Sequence, residues 1–313
     1  MKLGIITPHL GFNSGPDALR DVAQAAESLG FASLWTSDHV IIPSDYDSAY
    51  PFSDDDKIAL GGEQPYYELF STMSFLAAVT DRVELGSATA IAPYRHPVLT
   101  AKIVSTLDQL SKGRVVLGLG TGWLKEEFDA LGADFKRRGA QTDETIDFLR
   151  QAWKAEQPVS FKGEFVTVDD TWFVPGPYQQ RELPLWIGGA TRAALRRTAK
   201  YGTTWFPHLH GADPTWLQQC MEDIRTLRAE AGDARPAELA LYLPVHLTDT
   251  NPDRDAGPVW KQKAVVGTPE FIAETLRMYK AAGVGHVALL FSGKTERRIE
   301  VMQTLQDEVV PAL

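Results

Sequence analysis

The chain has 313 residues, 44% of them hydrophobic and 23% charged, with a formal net charge of −10 and one cysteine. That length allows one large barrel or two ordinary domains, with a core that needs no disulfide. Cys220 alone can form none within the chain. The acidic balance and the lack of a basic segment argue against nucleic acid as a partner. No apolar run reaches bilayer length, and a single cysteine fits a reducing compartment, so a cytoplasmic protein without a membrane partner is expected.

Strand-like and helix-like runs alternate along the chain. The first strand is expected at Leu3–Thr7, in a stretch too short and too weakly apolar to be a signal peptide. A helix follows over Asp17–Leu29, with Asp17 as its N-cap and Gly30 closing it. The second strand, Ser33–Ser37, runs into Asp38-His39 and a long polar insertion, His39–Pro65. Next come a helix at Glu68–Val79, a strand at Arg82–Ala90 that ends in small residues, and Tyr94-Arg95-His96 before a helix at Pro97–Leu110. The fourth strand, Val115–Gly120, precedes a second insertion, Trp123–Gly139, and a helix at Gln141–Trp153. From Gln157 to Pro184 apolar and polar residues alternate around a turn at Gly163, the pattern of a β-hairpin.

The remaining units are Leu185–Gly188 with Arg192–Tyr201, Thr203–Phe206 with Trp216–Ala231, Leu239–His246 with Pro269–Ala282, and His286–Phe291 with Glu296–Val309. Cys220 falls on the Trp216–Ala231 helix and reads as a packing residue. Thr268, Pro269 and Glu270 give an N-cap, a first-turn proline and a first-turn acid, while Gly283 and Gly285 are expected to end that helix.

Eight such units in this length predict a single-domain (β/α)8 TIM barrel with insertions after strands two and four and a hairpin excursion before strand five. A doubly wound sheet would also alternate, but its G-x-G-x-x-G fingerprint is missing after the first strand. In a barrel, catalytic groups sit at the carboxyl ends of the strands. His39 is there a candidate general acid or base, and Asp38 could bond a cofactor or substrate; alternatively the pair merely caps backbone. In Gly118-Leu119-Gly120-Thr121-Gly122-Trp123 the glycines could admit a ligand close to the backbone, Thr121 offers a hydroxyl and Trp123 a flat face, unless the segment is a tight turn with a core tryptophan. Gly188-Gly189-Ala190-Thr191-Arg192 could hold an anion on exposed N–H groups, or simply pack a helix closely on a strand. Arg95 and His96 could bind substrate or tie their loop to neighbouring elements. No metal-binding spacing, nucleophile elbow or P-loop occurs, and His208-Leu209-His210 reads as a loop pair.

Taken together, Ala25-Ala26-Glu27-Ser28-Leu29-Gly30-Phe31, Asp38-His39, Leu85-Gly86-Ser87, Arg95-His96-Pro97, Thr106–Ser111, Gly118–Phe128 with Glu126-Glu127-Phe128, and Trp186–Tyr201 resemble the bacterial luciferase-like superfamily of flavin and deazaflavin oxidoreductases. The similarity is greatest to the branch that uses coenzyme F420. The resemblance implies that the cofactor ring lies across the strand ends, with Asp38 contacting it and His39 moving the proton. Ala88-Thr89 would form a bulge behind the ring, where the family has a non-proline cis peptide. Thr121, Gly122 and Glu126 would line the cofactor's chain, and Gly188, Gly189, Ala190 and Thr191 would hold its phosphate. His9, Tyr94 and Trp123 are expected to face substrate.

Two departures stand out. Trp123 occupies the place where some F420-dependent sugar-phosphate dehydrogenases carry an acid, and Gly202-Thr203-Thr204-Trp205 replaces a common Gly-Asp-Gly-Trp. The implied activity is hydride transfer between F420 and a small organic substrate. The alternatives are an FMN monooxygenase using oxygen and a non-catalytic cofactor carrier. The loop Val40–Gln64, with Tyr46, Tyr50, Phe52 and Asp54-Asp55-Asp56, is expected to cover the site without specifying one ligand class. Apolar residues on outer helices could support the homodimer that such proteins often form.

Overall fold

A computed structural model describes residues 1–50, 63–154, 156–178, 183–207, 212–251 and 264–313. Its strands are β1 (Lys2–Ile6), β2 (Ser33–Thr36), β3 (Glu84–Ser87), β4 (Ala90–Ile91), β5 (Val115–Gly120), β6 (Val159–Lys162), β7 (Thr167–Thr171), β8 (Leu185–Gly188), β9 (Thr204–Phe206), β10 (Glu238–Leu247), β11 (Val265–Gly267) and β12 (Val284–Leu290). The helices are α1 (Pro16–Ser28), α2 (Leu69–Val79), α3 (Pro97–Leu110), α4 (Lys125–Leu131), α5 (Arg138–Ala152), α6 (Arg192–Tyr201), α7 (Pro214–Glu230), α8 (Pro269–Ala281) and α9 (Thr295–Thr304).

Parallel pairing runs β1-β2-β3-β5-β8-β9-β10-β12 and returns to β1, which closes an eight-stranded barrel. The expected TIM barrel is therefore the fold. No helix among the described residues is long and apolar enough to cross a membrane.

Side chains alternate across each strand and sort into two cores. One face of each strand packs outward on the helices, with Ile5, Leu34, Leu85, Leu117, Ile187, Leu241 and Leu289 in that shell. The other face fills the barrel interior with Ile6, Trp35, Ala88, Val116, Trp186, Phe206, Ala240, Tyr242 and Ala288. Trp35 and Trp186 lie 4.4 Å apart, ring to ring, with Phe206 5.2 Å from Trp35. Small residues make room for these rings: a Cβ on Gly86 would come within 2.2 Å of Trp35. The aromatic plug closes the interior, so the barrel is a packed core and not a pore.

Several local expectations change. Gly15, not Asp17, is the N-cap of α1; Pro16 starts the helix and Asp17 sits in its first turn. Gly30 and Gly283 do end helices, at φ of 85° and 95°. Gly285 lies inside β12 and ends nothing. Thr268 caps α8 as expected, its side chain accepting from Phe271 N. The third strand is not continuous to Ala90: a cis Ala88–Thr89 peptide separates β3 from β4, and β4 then pairs with β5. The fifth helix begins earlier, at Arg138, and the second insertion holds the unforeseen helix α4. The hairpin excursion is present as antiparallel β6 and β7. Cys220 is buried on α7. Phe52, Asp54, Asp55, Asp56, His208 and His210 lie outside the described residues.

Candidate active site

His39 and Asp38 follow β2 and are 8% and 3% exposed. Their side chains are held by two separate networks. His39 Nδ1 lies 2.7 Å from Glu127 Oε2. The same oxygen accepts from the Tyr94 hydroxyl at 2.8 Å. Glu127 Oε1 accepts from the backbone N–H groups of Val40 and Ile41 at 2.5 and 3.1 Å. The carboxylate is wholly buried and is satisfied on both oxygens, as a buried charge must be. Because it can only accept when ionised, His39 donates from Nδ1, and Nε2 is the ring nitrogen left for chemistry. Trp123 and Tyr66 flank the imidazole edge-on, with centroids at 5.9 and 5.3 Å.

Asp38 is gripped from the other side. Arg95 donates to both of its oxygens, at 2.7 and 2.9 Å, and Ile91 N donates at 2.9 Å. Arg95 also reaches Glu68 at 2.7 Å. Burial would raise the Glu68 carboxyl, but bonds from Ser71 and Arg95 outweigh it and hold the group below its ordinary range. Of the two readings for Arg95, the one that ties the loop to neighbouring elements is what the geometry displays. His96 likewise N-caps α3.

His9 lies just beyond β1 and is fully buried. Its Nδ1 donates to Thr7 O at 2.8 Å, while Nε2 accepts from Ser37 N at 3.1 Å and faces Ser37 Oγ at 2.7 Å. Ser37 in turn bonds the Tyr66 hydroxyl. Burial, helped by the charge of Arg298, pushes His9 down to about 4, so its ring is neutral at pH 7. Burial likewise raises Tyr66 well above the usual phenol range and Tyr50 to about 12. The phenols around the mouth are therefore donors, not anions.

The glycines are required for a reason other than ligand approach. A Cβ on Gly118 would meet Ser87 O at 2.0 Å, one on Gly120 would meet Thr89 Oγ1 at 2.4 Å, and one on Gly188 would meet Thr89 Cγ2 at 2.8 Å. Thr89, carried inward by the bulge, fills the space of missing side chains on two neighbouring strands. Gly122 needs its freedom both for φ of 78° and because a Cβ there would strike Phe128 and Ile91 at under 3 Å. Gly189 (φ 95°) and Ala190 lead into Thr191, whose hydroxyl accepts from Ala194 N and caps α6. No acid stands in the first turn of α6, which leaves the positive end of the helix dipole uncompensated.

Glu126 does not face the same way as Glu127. Its Oε1 accepts from Asp47 N and Ser48 N at 2.8 and 3.1 Å, fastening the covering loop. Gly122, Trp123, Glu126, Ser48 and Arg138 border a cavity of about 770 Å³. Trp123 packs on Tyr50 at 5.0 Å and Tyr46 at 5.9 Å. The loop after β2 is thus tied to the loop after β5.

Sequence reasoning had assigned no task to Glu127, Ser37, Tyr66 or Glu68. A signal for Glu127 was present: Leu124, Glu127, Phe128 and Leu131 recur at helical spacing, which puts an acid on the inner face of α4.

The family model for luciferase-like monooxygenases matches residues 1–257. A curated but uncharacterised protein of Mycobacterium tuberculosis is 34% identical over 219 residues, 70% of this chain and 74% of that protein. Among solved structures, an F420-dependent secondary alcohol dehydrogenase in complex with an F420-acetone adduct superposes with a TM-score of 0.76 at 20% identity, covering 99% of this chain and 98% of that one. The FMN-bound oxygenating constituent of 3,6-diketocamphane monooxygenase from Pseudomonas putida gives 0.77 at 15% identity, covering 100% and 98%. At those identities the structural likeness is one of fold.

Proposed function

We propose, starting from the fact that this chain belongs to the luciferase-like monooxygenase family, that it transfers hydride between the deazaflavin coenzyme F420 and a small organic substrate, with His39 as proton donor and acceptor. The observation that carries the reading is the His39–Glu127 pair, which engages Nδ1 at the end of β2 and leaves Nε2 as the ring nitrogen for proton transfer. The residues present fit a flat ring with a phosphate-bearing chain. Ala88, Thr89, Gly120 and Gly188 make a low floor at the ends of three adjoining strands, and Gly189, Ala190 and Thr191 would bring the N–H groups of the α6 start beside it. Thr121, Gly122 and Glu126 would border the chain between them. The bound coenzyme would supply the hydride and accept it back.

The chain's own residues would time the proton. With Nδ1–H committed to Glu127, Nε2 accepts the hydroxyl proton when an alcohol is oxidised. The ring then carries a positive charge against the Glu127 carboxylate, and returns the proton when a carbonyl is reduced. Asp38, held by Arg95, would fix the strand end beside the ring, while Trp123 and Tyr66 would exclude water and face substrate; His9, fully buried with both nitrogens bonded, would hold Ser37 from behind. Tyr94 would act from behind, through Glu127.

The test is fluorescence titration of the purified protein with F420 and with FMN, followed by turnover with His39→Ala. Tighter binding of F420, with a loss of about 100-fold or more in turnover but unchanged F420 affinity in the variant, supports the reading. Preference for FMN together with substrate-dependent oxygen uptake would replace it with a monooxygenase.

A further inference from the structure

Arg298 lies in the first turn of α9, directly after β12, and is 7% exposed. In sequence it shares helical spacing with Val301, Met302, Leu305 and Val309, all buried, so the fold places a cation on an apolar face. Its neighbours in kind are well partnered. Arg197, equally buried, pairs with Asp143 at 2.6 Å. Arg228 donates to the carbonyls of Ala199, Arg235, Thr198 and Gly202. Arg95 holds Asp38 and Glu68. Among the described residues Arg298 donates from Nε alone, to Gly293 O at 3.0 Å, and no carboxylate there pairs with it. A guanidinium keeps its proton, and a buried charge without a counter-charge is costly.

The position of this charge follows from the topology: α9 begins just past the carboxyl end of β12, which lies between β10 and β1, so a residue of its first turn stands at the mouth end of the barrel on the arc β10-β12-β1. Consistent with that place, its charge is felt at His9 beyond β1 and at Tyr242 of β10, a residue of the interior cluster. The α6 start lies on β8, with β9 and β10 between it and β12. The two described groups that feel this charge do not neutralise it: His9 is held neutral and Tyr242 is held as a phenol, both by burial.

We infer that Arg298 binds a carboxylate group on the substrate, so that this barrel acts on small organic acids whose apolar body lies among the mouth aromatics. The inference rests on the mouth being the active site, but not on which cofactor occupies it. The fork of N–H donors suits a carboxylate bound through both oxygens.

The test measures binding calorimetrically, on the full chain without cofactor, for benzoate, hexanoate and succinate against benzamide, hexanamide and succinamide. At least one acid should bind at least 10-fold tighter than its amide. Arg298→Met should abolish that preference and Arg298→Lys should recover part of it, while F420 and FMN affinities stay within about two-fold. The Lys variant, which keeps the charge and most of the stem, serves if the Met variant does not fold. The inference is overturned if no acid outbinds its amide, or if the preference survives in Arg298→Met. A 10-fold loss of F420 or FMN affinity in that variant would assign the charge to the cofactor phosphate instead. Failure of F420 to bind the native protein, with the acid preference intact, would count against the hydride reading alone.

Discussion

Glu127 Oε2 stands 2.7 Å from His39 Nδ1 and 2.8 Å from the Tyr94 hydroxyl, and the residue's other oxygen gathers the N–H groups of Val40 and Ile41. One buried carboxylate thus sets the tautomer of the imidazole and the path of the loop that leaves β2. The two functions are separable by substitution.

Glu127→Gln keeps the shape and an oxygen for Val40 and Ile41, but it turns an N–H toward His39 and disfavours the Nδ1–H form. Turnover should fall by about 10- to 100-fold, and the thermal midpoint should change little. Glu127→Ala also strips the loop amides of their acceptor and should cost about 1–3 kcal/mol of stability, read by urea unfolding.

Arg95→Met leaves the Asp38 carboxylate, which has no exposed side-chain surface, without its two charged bonds. Breaking a buried pair from one side costs about 3–5 kcal/mol, and the expected result is a lower urea midpoint. The double variant Arg95→Met with Asp38→Asn should regain part of the loss. If it does not, the pair is not the source of the effect.

Acid should destabilise the fold before its carboxylates titrate. Burial pushes His9 down to about 4 and His286 to about 3. In the unfolded chain both rings take up a proton as pH falls through 6.5, whereas in the folded chain they stay neutral over that interval. The unfolded state binds more protons in the window, so stability is complete above pH 6.5 and falls as the pH drops through 4 toward 3. Shifts of this size correspond to about 3–5 kcal/mol per histidine. Unfolding free energies measured between pH 7 and 4 should show this slope, and His286→Gln should flatten it.

Gly118→Ala adds a methyl group 2.0 Å from Ser87 O, a backbone atom that cannot swing away. Separation of β5 from β3 should cost about 1–3 kcal/mol or more and weaken cofactor binding together with stability. Gly176→Ala, where nothing lies within 4 Å, is the neutral control for the thermal midpoint.

The barrel was legible in the chain because its rule is local. Each strand and helix buries one stripe of side chains, and the stripe is written at period 2 or 3.6. Leu34, Leu85 and Leu117 against Trp35, Gly86 and Gly118 already displayed the two faces of adjoining strands. Asp38-His39 could be picked out because the end of a strand has a fixed address in such a barrel. What the sequence could not determine was who meets whom. Glu127 lies 88 residues from His39 and Arg95 lies 57 from Asp38, and no local spacing encodes a pair that closes only when parallel strands align. The glycines carried the same ambiguity: only the folded barrel showed that Gly118, Gly120 and Gly188 yield to Ser87 and Thr89. Hydrophobic period fixes an element's identity residue by residue, whereas a hydrogen-bonded charge depends on distances that exist only after closure.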